Sequence, residues 1–469
     1  MSKSVSRRQF LMRCGVLSAA GVPALRWAMN LGAIGTSAAI SSTARADDGE
    51  DYRALVCVFL AGGNDCHNTL IPLDPANYDK YARLRGAIKI EQASLQATEL
   101  VPSNAWTDGR RMALSPSLAP LKSLFDQGHM AMVMNVGPLL GPLTLAQYKQ
   151  NIGVPAKLFS HNDQQSTWQS GGTEGMTTGW GGRMADLMLS GNGANGSMFT
   201  SISATGNSVF MSGRNVSQYQ VSPSAGGAVK LLPVPSVGAA VDPAVIAAMS
   251  SQLQAPRGHL FEESHASVAR RSIGTEAVLT DALAGVGDQA LIAGNSLSAQ
   301  LNLVARLIAA RSALGVKRQV FFVSFGTFDL HAMAAEKQPI LHGALASALK
   351  AFYDATVTMG VSANVTTFTA SDFGRTLTNN GDGSDHGWGG YHFVMGDSVQ
   401  PRSWFGQLPD VAVNGRHDVG QGRLLPAVSV DQYGATLARW MGTPASEMAT
   451  VFPNIGRYES SDLGFMKST

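Results

Sequence analysis

Residues 54–60, ALVCVFL, run without interruption into AGGND at 61–65. An unbroken apolar run with Val and Phe, closed by glycines and a carboxylate, describes a strand covered on both faces that empties into a loop. A strand open on one face would instead alternate apolar with polar residues. The design recurs in MAMVMNV (130–136), which runs toward a Gly/Pro loop, in QVFFVSF (319–325), which runs into GTFDLH, and in NVTTFTA (364–370), which runs into SDFGR. Between and after them lie amphipathic stretches: 297–311 with apolar Leu297, Leu301, Val304, Leu307 and Ile308 on one face, 342–360, and 430–442. Strand, helix and strand in this order predict an α/β fold, a mainly parallel sheet flanked by helices.

Residues 171–260 differ. They are rich in Gly, Ser, Asn and Ala, with breaker clusters GNGANG, SPSAGG and LLPVPSVGAAVDP. We read them as an insertion of short strands and loops that forms a rim or cap over the sheet edge.

The first 46 residues do not read as fold. SRRQFLMRCG sets Arg7 and Arg8 ahead of Phe10 and Leu11, an Ala/Gly/Leu-rich stretch follows, and Ala44-Arg45-Ala46 supplies small residues for cleavage. This predicts a twin-arginine export signal over 1–46, recognised by the twin-arginine machinery, and a single domain over 47–469 in the periplasm or outside the cell. Pro23 and Arg26 interrupt the stretch, which argues against a lasting transmembrane anchor.

The chain has 35 basic and 33 acidic residues. Six of the basic ones lie in the first 46 residues and none of the acidic ones do, so the remainder carries 29 positive against 33 negative charges. No basic cluster remains to suggest nucleic acid. Cys57 and Cys66 remain after Cys14; Cys57 lies in an apolar run and Cys66 in a loop, and we expect no disulfide between them.

Polar chemistry gathers where the strands end. Asp65, Asp329 with His331, and Asp372 follow three of the four strands, and ligands of open parallel sheets bind beyond the carboxyl ends. DGSDHGWGGYHFVMG (382–396) adds Asp385, His386 and His392 among glycines that permit close approach. Mixed Asp and His ligands suit a divalent ion such as Zn, Mn or Fe. Taken singly, each Asp reads as a cap or turn residue and each His as a core residue. Their repetition at corresponding positions favours a shared site.

In KLFSHNDQQSTWQSG (157–171), Ser160 precedes His161 at the start of a helix-like stretch. It is either an N-cap or a nucleophile beside an anion cradle. Thr69 is a competing hydroxyl. His67 is a partner of Asp65 or a loop residue; His129, His259, His265 and His342 read as surface. Trp168, Trp180 and Trp388 line a pocket or plug loops. Arg375 neutralises a substrate anion or caps a helix.

With SRRQFL, GGNDCHNTLIP, FSHNDQQSTWQ, FDLHA, SDFGRT, DHGWGGYHFVMG and SVDQYGATLARWMG in this order, the chain resembles the secreted bacterial family called domain of unknown function 1501. That family is grouped with the alkaline phosphatase and sulfatase superfamily. The resemblance implies an alkaline-phosphatase-like fold with divalent metal (Zn, Mn, Fe or Ca) at the carboxyl edge of the sheet. It implies Asp65 as first ligand, Ser160 at the nucleophile position, Asp329 and His331 as an Asp with its His, Asp372 as a later Asp and His386 as the final His. Phe373 stands where that later Asp would have its His, so Asp385, His392 or His161 has to complete the set. The implied activity is metal-dependent hydrolysis of phosphate or sulfate esters, of a small anionic ester or a glycan. The alternatives are an exported metal- or glycan-binding or assembly protein that keeps the fold, and a structural cell-surface protein.

Overall fold

The computed structural model describes residues 51–104, 108–172, 174–229 and 242–467; the expected export signal lies outside them. In chain order the first strands are β1 (Arg53–Ala61), β2 (Leu70–Pro72), β3 (Glu99–Leu100), β4 (Met112–Leu114) and β5 (Met130–Gly137). Then come β6 (Ser201–Ser203), β7 (Tyr219–Ser222), β8 (Gly227–Ala228), β9 (Arg318–Gly326) and β10 (Val365–Ser371). Last are β11 (Arg375–Asn379), β12 (Ser384–His386), β13 (Gly390–Met395), β14 (Trp404–Gly406) and β15 (Val428–Ser429).

Strand β1 lies inside the main sheet, whose order is β14-β5-β13-β10-β1-β9-β6-β7-β8, with β15 also on β5. Its side chains explain the position. Ala54, Val56, Val58 and Leu60 enter one apolar core, and Leu55, Cys57 and Phe59 enter the other. Each face thus buries half of the run, and each fully buried Val or Phe contributes roughly 1.5–3 kcal/mol. β1 pairs in parallel with β9 and β10, and β6 and β7 continue in parallel beyond β9. β13 runs antiparallel to both β10 and β5, which leaves β5 pointing the same way as β1. All four apolar runs read from the sequence are strands of this mainly parallel sheet. Both cysteines are buried and free.

Register sets the edge that matters. Leu60 faces Ser371 on one side and Phe325 on the other, so the residues after β1, β9 and β10 leave the sheet together. Gly62 has φ +104°, and a Cβ there would lie 2.5 Å from the Asp329 amide nitrogen. Only glycine lets the two loops pass this closely.

The helices used below are α1 (Pro75–Arg85), α2 (Ala119–Asp126), α3 (His161–Ser170), α4 (Trp180–Met188), α5 (Pro243–Gln254), α6 (Leu260–Leu283), α7 (Ser296–Ala309), α8 (Ala334–Thr358) and α9 (Val430–Met441). α7 and α9 lie where the periodicity placed them. α8 starts well before the expected 342, because Asp382 receives the amide of Met333 at its N-terminus through its carboxylate (2.7 Å) and that of Ala334 through its carbonyl (3.0 Å). Gly442 closes α9 in the left-handed region.

The described chain falls into two units. The larger holds 51–229 and 275–467, including the sheet, whose edge is built by β6, β7 and β8 from the Gly/Ser-rich stretch. That stretch also contains α4, a helix the composition did not announce. In the smaller unit, Asp242 caps α5 through the Ala244 amide, and Arg270 donates to the Gln254 carbonyl (2.7 Å) and pairs with Glu263. Among the described residues no helix is long and apolar enough to cross a membrane.

Candidate metal centre

At the carboxyl edge, Asp329 directly follows Phe328, whose amide donates to the Ala61 carbonyl just beyond the end of β9. Ligand atoms of His161, Asp329 and His386 lie within 4.8 Å of one another. His331 joins them: its Nε2 is 3.1 Å from Asp329 Oδ1 and 2.9 Å from His386 Nε2.

Each imidazole is oriented from behind. His161 Nδ1 lies 2.6 Å from Oδ2 of Asp372, which also accepts from Gln165 Nε2 at 2.8 Å and, through Oδ1, from the Gly62 amide at 3.1 Å. His386 Nδ1 lies 2.7 Å from the Phe159 carbonyl. His331 Nδ1 lies 3.3 Å from Oδ1 of Asp385, a carboxylate that Asn380 holds at 2.9 Å. An acceptor opposite each Nδ1 assigns the proton to that nitrogen and leaves the Nε2 lone pair free. His161 Nε2 is correspondingly buried without a hydrogen-bond donor, at 3.5 Å from Asp329 Oδ2.

Lone pairs and one carboxylate therefore face each other, and among the described residues the cationic side chain that reaches them is Arg375, whose Nη1 is 2.7 Å from Asp329 Oδ1. Burial opposes ionisation of Asp329, yet the Arg375 hydrogen bond and charge, with His331 and His161 beyond it, hold its carboxyl below the usual carboxylate range. Burial also holds His386 below the ordinary imidazole range, against the Phe159 carbonyl, which favours the protonated ring. Imidazoles whose second nitrogen is tied to a carboxylate or carbonyl are the arrangement of histidine metal ligands. The nitrogen-rich donor set fits Zn, Mn or Fe; calcium, which takes oxygen ligands, fits it poorly.

The backbone is bent to build this. Phe159, whose carbonyl orients His386, has φ +69°, and Lys157 has φ +52°. Non-glycine residues in the left-handed region cost of order 1–3 kcal/mol each, and they gather at functional sites. Phe373 packs 4.7 Å from the rings of both His161 and His386, so its aromatic face lines the cluster where the resemblance would have an imidazole.

The structure brings together Asp329, His331, Asp372, Asp385, His386 and His161, with Asp372 and Asp385 behind the rings. It does not bring Asp65 or His392 to them. Asp65 is buried and paired with Arg85, with Ser384 Oγ at 3.2 Å and the His67 amide at 3.1 Å. Although burial disfavours its charge, Arg85 and His67 hold its carboxyl below the usual range. His392 lies in the core between Trp168 and Tyr433, and burial pushes its pKa down to about 3. The alternation of β13 turns it inward, away from the loop that carries His386.

The hydroxyls separate equally clearly. Thr69 is fully buried, donating to the Asp65 carbonyl (2.8 Å) and accepting from Asn64 Nδ2 (2.9 Å). Ser160 occupies the N-cap position of α3, but its Oγ donates to Asp163 Oδ2 at 2.8 Å rather than accepting from the helix amides. Arg375 is buried and donates to Asp329 Oδ1 and the Ser384 carbonyl. His342 is a correction: the early start of α8 turns it inward, 3.2 Å from Asn64 Oδ1. Trp168, Trp180 and Trp388 are buried plugs. Sequence reading missed Arg85, Gln165 and Phe159; only Arg85, at the end of the first α-helix after the Asp65 loop, left a signal in the spacing.

A model for the family described as Protein of unknown function (DUF1501) matches residues 52–447. No curated protein matches the chain. Among solved structures the chain is similar to the crystal structure of Ps i-CgsB, at 11% identity over 86% of this chain and 74% of that one, with a TM-score of 0.35. The crystal structure of Ps i-CgsB in complex with k-i-k-neocarrahexaose matches at 9% identity over 88% of this chain and 78% of that one, with a TM-score of 0.34. "A putative sulfatase from Bacteroides thetaiotaomicron VPI-5482" matches at 10% identity over 86% of this chain and 75% of that one, with a TM-score of 0.31.

Proposed function

The chain belongs to the DUF1501 family, and from the site at its sheet edge we propose that it is an exported, metal-dependent hydrolase-like protein acting on phosphate or sulfate esters. The observation that carries the reading is the convergence of three Nε2 lone pairs on one carboxylate, each ring tied from behind by an acceptor. His161, Asp329 and His386 would hold one divalent ion, with His331 beside them. Bound there, the ion supplies Lewis-acid neutralisation of charge on an ester oxygen.

The chain's own residues do the rest. Asp372 keeps the Nδ1 proton on His161 and so keeps Nε2 available. Arg375 fixes the rotamer of Asp329 from the buried side. Ser160 is the candidate nucleophile: with its proton directed at Asp163, its oxygen lone pairs stay free, and it adjoins His161 in the chain. Phe373 excludes water from one flank of the rings.

The test is metal content. Purified wild type is expected to carry one equivalent of Zn, Mn or Fe, and Asp329→Ala and His386→Ala to lose it. Turnover of p-nitrophenyl phosphate or sulfate is expected to vanish in both variants and in Ser160→Ala. Metal-free wild type, or turnover untouched by all three changes, would sink the proposal.

One observation favours a second reading, metal binding without turnover. Among the described residues no hydroxyl bonds to His161, Asp329 or His386, and the Ser160 proton already has an acceptor. That reading expects bound metal with no ester hydrolysed. The twin-arginine reading of residues 1–46 belongs to the same proposal: replacing Arg7 and Arg8 by Lys is expected to leave the protein in the cytoplasm, and unchanged export would refute it.

A further inference from the structure

Arg375 borders the candidate centre and Arg85 the neighbouring Asp65, and both are spent. Arg85 is paired with Asp65, and Arg375 with Asp329. Arg423 has no carboxylate within ion-pair distance among the described residues. Its Nε donates to the His386 carbonyl at 2.7 Å, its guanidinium lies 4.7 Å over the Phe159 ring, and its Nη1 reaches only the Gly420 carbonyl at 3.5 Å. Nη2 has no partner among the described residues. A half-buried positive charge thus sits against the residue that carries one imidazole and against the residue that orients it.

The loop that delivers Arg423 is tightly constrained. Gly420, Gln421 and Gly422 have φ values of +127°, +58° and +74°, three successive residues in or near left-handed space. Asp418 Oδ1 takes the amides of Gly420 and Gly422, each at 2.7 Å. A Cβ at Gly422 would lie 2.5 Å from the Leu377 Cβ, so the turn is pressed onto β11 and tolerates glycine alone. Gln421 is the non-glycine residue held in left-handed space there, and such strain persists where the surroundings over-determine it, commonly at ligand sites. The product of this turn is a guanidinium pinned by stacking and by hydrogen bonds to the His386 and Gly420 carbonyls, with Nη2 unclaimed among the described residues.

We propose that Arg423 is the anion-binding residue of this site, recognising the tetrahedral oxyanion of a phosphate or sulfate ester. The inference rests on the reading of the site as one for anionic esters. Guanidinium donors match such oxygens in a planar fork, and charge-assisted bonds of this type are about twice as strong as neutral ones. The stacking on Phe159 reduces the side-chain entropy lost on binding.

The experiment titrates inorganic phosphate, and separately inorganic sulfate, into wild type, Arg423→Met and Arg423→Lys, with metal content and melting temperature measured on the same samples. Arg423→Met is expected to keep the metal and the melting temperature while losing about tenfold or more in affinity for the preferred anion. Arg423→Lys is expected to fall between, since it keeps the charge and loses the fork; it also serves if the Met variant folds poorly. The anion that wild type binds tighter identifies the ester class. Equal binding by wild type and folded Arg423→Met, or no binding of either anion by metal-loaded wild type, overturns the assignment. If wild type takes up no metal, the parent reading fails separately. The same titrations still read Arg423: a tenfold loss supports its anion role and equal binding overturns it.

Discussion

Nε2 of His331 stands 2.9 Å from Nε2 of His386, while the Nδ1 of each ring faces an acceptor. Two neutral imidazoles in this arrangement point lone pairs at each other, and Asp329 adds a carboxylate to the same space. A shared cation removes the repulsion.

Filling the site is therefore expected to stabilise the fold. A ligand at 100 times its Kd adds about 2.7 kcal/mol to unfolding. Zinc or manganese added to chelator-treated protein is expected to raise the melting temperature, calcium to do so little, and Asp329→Ala to abolish the response. Equal responses in wild type and Asp329→Ala would place the ion elsewhere.

Asp65 and Arg85 form a buried pair, with side chains 5% and 0% exposed. Removing one partner of such a pair costs roughly 3–5 kcal/mol, because the other charge is left buried. Arg85→Met is expected to lose stability on that scale, and adding Asp65→Asn to recover part of it. Chemical denaturation of the two single variants and the double variant reads the coupling. Metal content is expected to survive Asp65→Asn, since Arg85 already claims that carboxylate.

Gly62→Ala is expected to damage fold and site together. The new Cβ would meet the Asp329 amide at 2.5 Å, in a backbone conformation that costs an L residue of order 1–3 kcal/mol. The Asp329 loop has to move away. We expect a lower melting temperature and weaker metal binding. Full metal affinity in a destabilised variant would show that the loop absorbs the clash without shifting the carboxylate.

Acid destabilisation is expected to come partly from buried neutral histidines. Burial lowers His392 to about 3, and lowers His67 and His342 to about 4, with nearby Asp65 pulling the other way on the last two. In the unfolded chain these rings titrate near 6.5, so between about pH 6.5 and 4 the unfolded state binds more protons. Stability therefore falls as pH falls through that window, by up to about 1.4 kcal/mol per pH unit for each ring. His392→Leu is expected to shrink the difference in urea midpoint between pH 7 and pH 4.5. An unchanged difference would exclude His392 as a contributor.

Much of the scaffold was legible in the residues. Both faces of β1 are apolar, which only a doubly covered strand requires, and the glycines and acids that follow mark the edge where such strands end. His161 before a helix-like stretch, and Asp329, Asp372 and His386 near strand ends, were legible for the same reason. Asp65 misled because it shares that pattern. A strand-end position says which edge a carboxylate reaches, and it does not say which cation reaches the carboxylate first.

By itself the sequence determined the sheet, its flanking helices and the edge at which polar groups gather, since periodicity and burial act over neighbouring residues. Only the tertiary structure decided the pairing. Arg85 took Asp65, Arg375 took Asp329, the Phe159 carbonyl turned His386, and β13 carried His392 into the core. Those outcomes depend on distances of a few ångströms between residues up to 227 positions apart, as from Phe159 to His386. Electrostatic and hydrogen-bond energies change steeply over such distances, and local sequence does not encode them.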